Sequence, residues 1–438
     1  MNSRVIKVIA TLVVLLLLLL LQGVLLAGCQ AHNENITYEK MNIPATDKSP
    51  EYFLEAISSD GRRALFTQSL FGSDAWQPLY IYLRDQRKLE SIPFLHKGEN
   101  LYSNYAFSKN GRYIAAFIVN DRDTGTLSGD KWEGIDQGST NIFLYDIEKK
   151  ERRPVAVSAA WKTQLARSCS VHFNGAPASD LVSIDLQISD DGSRITYSLN
   201  QTISGLSSDT SSSFGKVFIV NVKDGTCAER RLISPTAFSS PVTRSGFFPY
   251  VLSGDGTKVI TQNSAYDIGK NAVKKLEWGV FPETCTYDGN QFVGDESAKE
   301  KSDKQDAVPQ AFLVNYLEGH KTLVAKGVSH DEGMPNHFPQ IASDGNWIAL
   351  QLRKKQSRSN GLSGACYQVS LFDVASGKTY LLQGDALRDY ESVYLRDDSI
   401  TPYTSLYPGS LISADGRTIG ITAQTATGKE AFFFADVK

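Results

Sequence analysis

The chain has 438 residues, of which 45 are Lys or Arg and 48 are Asp or Glu, giving a formal net charge of −3. So even a balance provides no basic face for a phosphate backbone and excludes nucleic acid as a partner. With 41% hydrophobic residues the chain can bury a large core.

In chain order, the first element is a targeting segment. Arg4 and Lys7 precede an apolar run from Val8 to Leu26, closed by Leu26-Ala27-Gly28-Cys29. This resembles the lipobox of bacterial lipoproteins. The resemblance implies that residues 1–29 form a signal peptide and that Cys29 is diacylated after cleavage. Lipid chains add about 0.8 kcal/mol per buried CH₂, enough for firm anchoring when two or three are present. The expected address is therefore the cell membrane or outer membrane, lipid-anchored and facing the periplasm or cell exterior.

Residues 30–438 are expected to form one folded unit after a short polar tether. A strand candidate, Asn35 to Ile43, has no hairpin partner nearby. Then comes Ile57-Ser58-Ser59-Asp60-Gly61, an Asp-Gly turn between two apolar stretches. The same unit recurs at Phe107–Gly111, Ile188–Gly192, Leu252–Gly256, Ile341–Gly345 and Ile412–Gly416. Asp-Gly between alternating strands points to a β-hairpin, with a type I′ turn as the expected geometry because Gly and Asp tolerate positive φ. After each of the first five copies a second pair of strands follows, for example Leu79–Leu83 and Leu89–Ile92. The sixth copy has one further strand, Glu430 to Asp436, before the chain ends, so it lacks a fourth. Asn35 to Ile43 supplies it. The expected architecture is all-β: a six-bladed β-propeller of four-stranded blades, closed by the N-terminal strand in the last blade.

The repeat is similar to the TolB-type or WD40-like propeller repeat over essentially all of residues 35 to 438. The proline usual between Ser and Asp is missing from all six copies. The resemblance implies a fold and a broad role, since its relatives include periplasmic protein-interaction modules, gating domains of serine peptidases and a few lyases, but it carries over no catalytic residue set.

In blades of this kind the Asp-Gly turns and the outer turns share one face of the disc. The links between second and third strands, and between blades, share the other. The long insertions fall in the second group: 120–140, 158–180, 201–215, 264–309, 353–365 and 384–407. Loops held by a rigid scaffold commonly carry binding, so this decorated face is the expected working surface. Its aromatic residues, chiefly Trp132, Trp278, Phe281, Tyr390 and Tyr394, are the candidate contact residues. Others of the set would pin the insertions to the disc.

His330 and His337, beside Asp331 and Glu332, are candidate ligands for a divalent cation. Besides Cys29 there are four cysteines, Cys169, Cys227, Cys285 and Cys366, with no metal-type spacing. Cys285 and Cys366 are assigned to links of neighbouring blades on one face, so a disulfide between them is the expected pairing. No GxSxG elbow, phosphate loop or dinucleotide fingerprint is present, and no cofactor is expected. The reading that fits is an envelope lipoprotein that binds a protein or envelope polymer through its decorated face. The alternative is a metal-assisted polysaccharide lyase or hydrolase acting at the central funnel.

Overall fold

The structure, a computed structural model, describes residues 36–44, 50–70, 78–96, 99–120, 142–155, 182–201, 216–231, 250–296, 310–326, 339–353, 366–395 and 409–438. β1 (Ile36–Lys40) comes first. Blade one is β2 (Pro50–Ile57), β3 (Arg63–Leu70), β4 (Leu79–Leu83) and β5 (Lys88–Ser91). Blade two is β6 (Glu99–Phe107), β7 (Tyr113–Asn120), β8 (Ile142–Asp146) and β9 (Glu151–Pro154). Blade three is β10 (Val182–Ile188), β11 (Arg194–Gln201), β12 (Lys216–Asn221) and β13 (Cys227–Arg231). Blade four is β14 (Tyr250–Leu252), β15 (Lys258–Thr261), β16 (Ser264–Asp267) and β17 (Ala272–Lys275). Blade five is β18 (Val280–Cys285), β19 (Gln291–Glu296), β20 (Gln310–Asn315) and β21 (His320–Lys326). Blade six is β22 (Gln340–Ile341), β23 (Trp347–Arg353), β24 (Tyr367–Asp373) and β25 (Lys378–Leu381). Blade seven joins β26 (Ser392–Tyr394), β27 (Thr418–Gln424) and β28 (Glu430–Val437) to β1, in the order β1-β28-β27-β26.

The expected four-stranded blades and the closure by the N-terminal strand are both present, with Ile36 opposite Val437 and Lys40 opposite Phe433. The expected count of six is wrong: there are seven sheets of four strands. The stretch 264–309 is not one insertion. It holds the outer half of blade four and the inner half of blade five, and it contains a seventh turn, Cys285-Thr286-Tyr287-Asp288-Gly289. Thr takes the place of Ser there, and the link before it, 276–279, has only four residues.

The second and third strands are buried on both faces, because each blade is packed between two others. β28 reads Glu-Ala-Phe-Phe-Phe-Ala-Asp-Val with its five middle residues buried, whereas the outer strand β17 is exposed throughout. The core lies between blades. Phe66 of blade one meets Phe432 of blade seven edge to face, 5.1 Å between ring centroids. Tyr197 and Phe218 stack within blade three and pack beside Phe117 and Leu144 of blade two. Each such fully buried side chain contributes roughly 1.5–3 kcal/mol.

The repeat motif is explained by the turn itself. In blade one the Ser58 hydroxyl donates to Asp60 Oδ1 (2.5 Å) and accepts from the Arg63 amide (2.9 Å), while Asp60 Oδ1 also accepts from the Arg62 amide (3.0 Å). The same set recurs with Ser108 and Asn110, Ser189 and Asp191, Ser253 and Asp255, Thr286 and Asp288, and Ser413 and Asp415. The carboxylate thus satisfies amides that the sheet ladder leaves unpaired. The Gly61 amide donates to Ser58 O at 2.9 Å, and Gly61 has φ +66° whereas Asp60 does not have positive φ. A type I′ turn requires positive φ at both central residues, so the expected I′ geometry is not the one used. One left-handed glycine after a tight turn closes each hairpin.

That glycine has a second reason to be there. A Cβ on Gly61 would lie 2.8 Å from Thr418 of blade seven, on Gly111 2.7 Å from Ser58 of blade one, and on Gly192 2.5 Å from the Tyr113 ring of blade two. The series continues through Gly256, Gly289 and Gly345 to Gly416, 2.5 Å from Trp347 of blade six. Each turn therefore rests on the blade before it, and the contacts run once around the ring.

Candidate functional site

Where the seven turns meet, their backbones are joined into a hoop. The residue before each Asp or Asn, or that Asp itself, donates its amide to a carbonyl of an adjacent turn. Ala414 donates to Ser59 O (2.8 Å), Asp344 to Ala414 O (3.0 Å), Tyr287 to Ser343 O (2.9 Å), Asp255 to Tyr287 O (2.9 Å) and Asp190 to Gly254 O (2.8 Å). Ser59 donates to Lys109 O in the same way. At the junction of blades two and three the Lys109 ammonium stands close enough to the Asp190 carboxyl to act on its charge. Lys109 then reaches across the axis, its Nζ donating to Cys285 O (3.2 Å) and Ser343 Oγ (3.3 Å) in blades five and six.

Behind this hoop lies a cavity of about 60 Å³, lined by inner-strand residues of five blades that include Phe107, Gln187, Glu283, Thr284, Cys285 and Ser410. Ligand pockets run to roughly 300–1,000 Å³, so this one takes a few waters and no sugar or nucleotide. Two of its titratable groups, Asp190 and Cys285, are perturbed by burial. Burial pushes the Asp190 carboxyl up, opposed by the nearby Lys109 ammonium and reinforced by Asp191 and Asp255. Burial likewise pushes the Cys285 thiol up to about 12, keeping it protonated. The hoop and the Lys109 side chain thus cross the turn end of the channel. Near the turns, inner-strand amides are taken up by side chains of the preceding blade. Gln187 Oε1 accepts from Leu252 N, Thr284 Oγ1 from Ile341 N (2.8 Å) and Gln340 Oε1 from Leu411 N (2.6 Å).

Of the residues singled out from sequence, Cys29, Trp132, Cys169, His330 and His337 lie outside the described residues. Trp278 is half-buried and packs on the core of blades four and five. Phe281 is in β18, an inner strand rather than a loop. Tyr390 and Tyr394 are not free contact residues. Tyr390 meets Phe433 edge to face at 5.6 Å. Tyr394 is 4% exposed, and its hydroxyl donates to Glu430. Tyr390 pins the segment before β26 to the disc and Tyr394 is packed within blade seven itself, a role that aromatic residues in an insertion share with binding.

The expected Cys285–Cys366 disulfide is not made, and both are thiols. Cys285 ends an inner strand beside its Asp-Gly turn, whereas Cys366 comes just before β24, at the link end of blade six. Strands rise about 3.3 Å per residue, so the two ends of a seven-residue strand are roughly 20 Å apart, far beyond the reach of a disulfide. The error follows from reading Cys285 as part of an insertion. Sequence reasoning also missed Lys109 and Asp190. Both stand one place before the Asp or Asn of their turns, where the other copies carry Ser, Gly, Tyr or Ala, and this was the available signal.

No family model matches the chain, and no curated protein matches it. Among solved structures it is similar to an oligogalacturonate lyase from Vibrio parahaemolyticus (11% identity over 92% of this chain and 97% of that one, TM-score 0.48). It is also similar to an oligogalacturonate lyase in complex with manganese (12% identity, 92% and 96% coverage, TM-score 0.47). A third is the β-propeller domain of the Trilobed protease from Pyrococcus furiosus (10% identity, 88% and 94% coverage, TM-score 0.48). The β-propeller assignment for this chain rests on its seven four-stranded sheets.

Proposed function

We propose that the chain is a TolB-like envelope lipoprotein whose propeller is an interaction scaffold, binding a protein or envelope polymer through the face that carries the links. One observation carries this reading. The turns are tied to one another by their own hydrogen bonds beside a cavity of only about 60 Å³, while the extra chain length is spent at the other end. Between β7 and β8 lie residues 121–141, and between β9 and β10 residues 155–181; the outer turns at the opposite end take only a few residues each. Rigid blades presenting long segments on one side are suited to recognition.

The test replaces 121–141 by a short turn in one variant and changes exposed outer-turn residues Lys149 and Lys223 to Ser in another. Both are used to capture partners from detergent-solubilised envelope. Loss of a specific partner from the first variant alone, with its unfolding temperature kept, is the expected result. An unchanged partner set in the first variant, or loss in the second, overturns the assignment of the binding face.

A further inference from the structure

We infer that the turn face is the membrane-proximal side of the disc and that the link face is turned away from the bilayer. This rests on the lipoprotein reading above and adds an orientation to it. β28 is a third strand, so it runs from the link end of its blade to the turn end. The Val437 amide donates to Arg417 O at 2.7 Å, directly beside the Asp415-Gly416 turn. β1 is antiparallel to β28 with Ile36 opposite Val437, so the chain joins the propeller at the turn end of blade seven and runs from there toward the link end.

Seven residue steps separate Cys29 from Ile36. A chain spans at most about 3.3–3.6 Å per residue, so a lipid on Cys29 holds Ile36 within about 25 Å of its membrane surface. The longest blade strands have eight or nine residues, which makes the faces roughly 25 Å apart at 3.3 Å per residue. To bring the link face down, the tether would first have to run the full thickness of the disc, leaving no length to span to the bilayer. With the turn face down it has slack. That face is also built to stand close to a surface. Its loops are short, and it exposes two large apolar side chains on blade five, Tyr287 at 50% and Leu317 at 57%.

The experiment uses full-length lipidated protein in vesicles of phosphatidylethanolamine and phosphatidylglycerol that carry a small fraction of a headgroup photo-crosslinker. Cross-linked peptides are mapped by mass spectrometry. Peptides holding residues 84–88 and 415–417 should be labelled in several-fold excess over those holding 262–263 and 425–429. Comparing 415–417 with 425–429 keeps the test within blade seven, so proximity to the tether does not decide it. Lengthening the tether by about twelve Gly and Ser residues should erase the bias, because such a linker lets the disc turn over. Protein that floats with the vesicles but is labelled evenly, or mainly at 425–429, overturns the orientation and leaves the anchor standing. Protein that fails to float, and carries no lipid on Cys29, removes the anchor and the orientation together.

Discussion

Arg84 of blade one grips Asp436 of blade seven with both terminal nitrogens, one of them at 3.1 Å from Oδ1, while its Nε donates to Glu39 Oε2 at 2.8 Å. One guanidinium thereby holds strands from both ends of the chain, lying 4.6 Å over the Phe434 ring as it does so. Its side chain is 19% exposed, between the surface and the buried cases. Exposed pairs contribute about 0–1 kcal/mol and breaking a buried pair costs about 3–5 kcal/mol, so Arg84→Met should cost about 2 kcal/mol in denaturant unfolding. Arg84→Lys should recover little, since an ammonium lacks the fork that reaches both carboxylates.

Gly192 and Gly225 share φ +69°, but a Cβ on Gly192 meets the Tyr113 ring at 2.5 Å whereas Gly225 has open space. Gly225→Ala should cost about 1–2 kcal/mol for the left-handed backbone alone. Gly192→Ala should cost roughly 1–3 kcal/mol more, because the neighbouring blade must move. Equal losses in calorimetry would mean that the inter-blade contact contributes nothing.

Lys150 is a non-glycine residue at φ +56°, exposed in the outer turn of blade two. The corresponding position holds Gly in blades three, five and six. Lys150→Gly should raise stability by up to about 1 kcal/mol, read as a higher denaturant midpoint, by removing backbone strain.

The Asp190 carboxyl is raised above its ordinary value by burial. A raised acid binds its proton more readily in the folded state, so its contribution to stability is greatest below the unfolded value and falls as pH climbs through the folded one. Asp190→Asn keeps the size and shape of the side chain and loses the titration. The variant should therefore gain on the parent as pH rises from about 4 upward, measured as the difference in unfolding free energy across a pH series. A difference that is flat with pH would remove the buried, ionised Asp190 from the account. Glu99 provides a control of opposite sign, because its hydrogen bonds to Arg152 hold it below the usual range and its stabilisation is lost as pH falls.

The Cys285 thiol is buried, and its pKa is pushed up to about 12. It should resist alkylation in the native protein at mildly alkaline pH and react only on unfolding, since the thiolate is the reactive form. Rapid native labelling at Cys285 would mean that the hoop opens in solution.

Much of the ring could be read in advance because its signal is chemical and local. Six turns carry a Ser or Ala, then Asp or Asn, then Gly, and apart from Ala342 each of these residues has a side-chain hydrogen bond or a φ angle that requires it. The seventh escaped for two local reasons. Thr286 makes the same hydrogen bonds as Ser but breaks the pattern as written, and Gln262 and Asn263 alone link β15 to β16, so blade four looks like a fragment. The crossing at the turn end of the channel was not legible for a different reason. Nothing in the local sequence of Lys109 shows that its ammonium will cross the axis to Cys285 O, because the partners lie 176 residues apart and meet only when the ring is complete.

The glycine of every turn touches only the blade before it, which makes each junction blind to the size of the circle. A blade could be duplicated or lost and leave every such contact locally unchanged. Descent by gain or loss of a whole blade would therefore be nearly silent in the turns, and would be recorded instead in the angle between successive sheets.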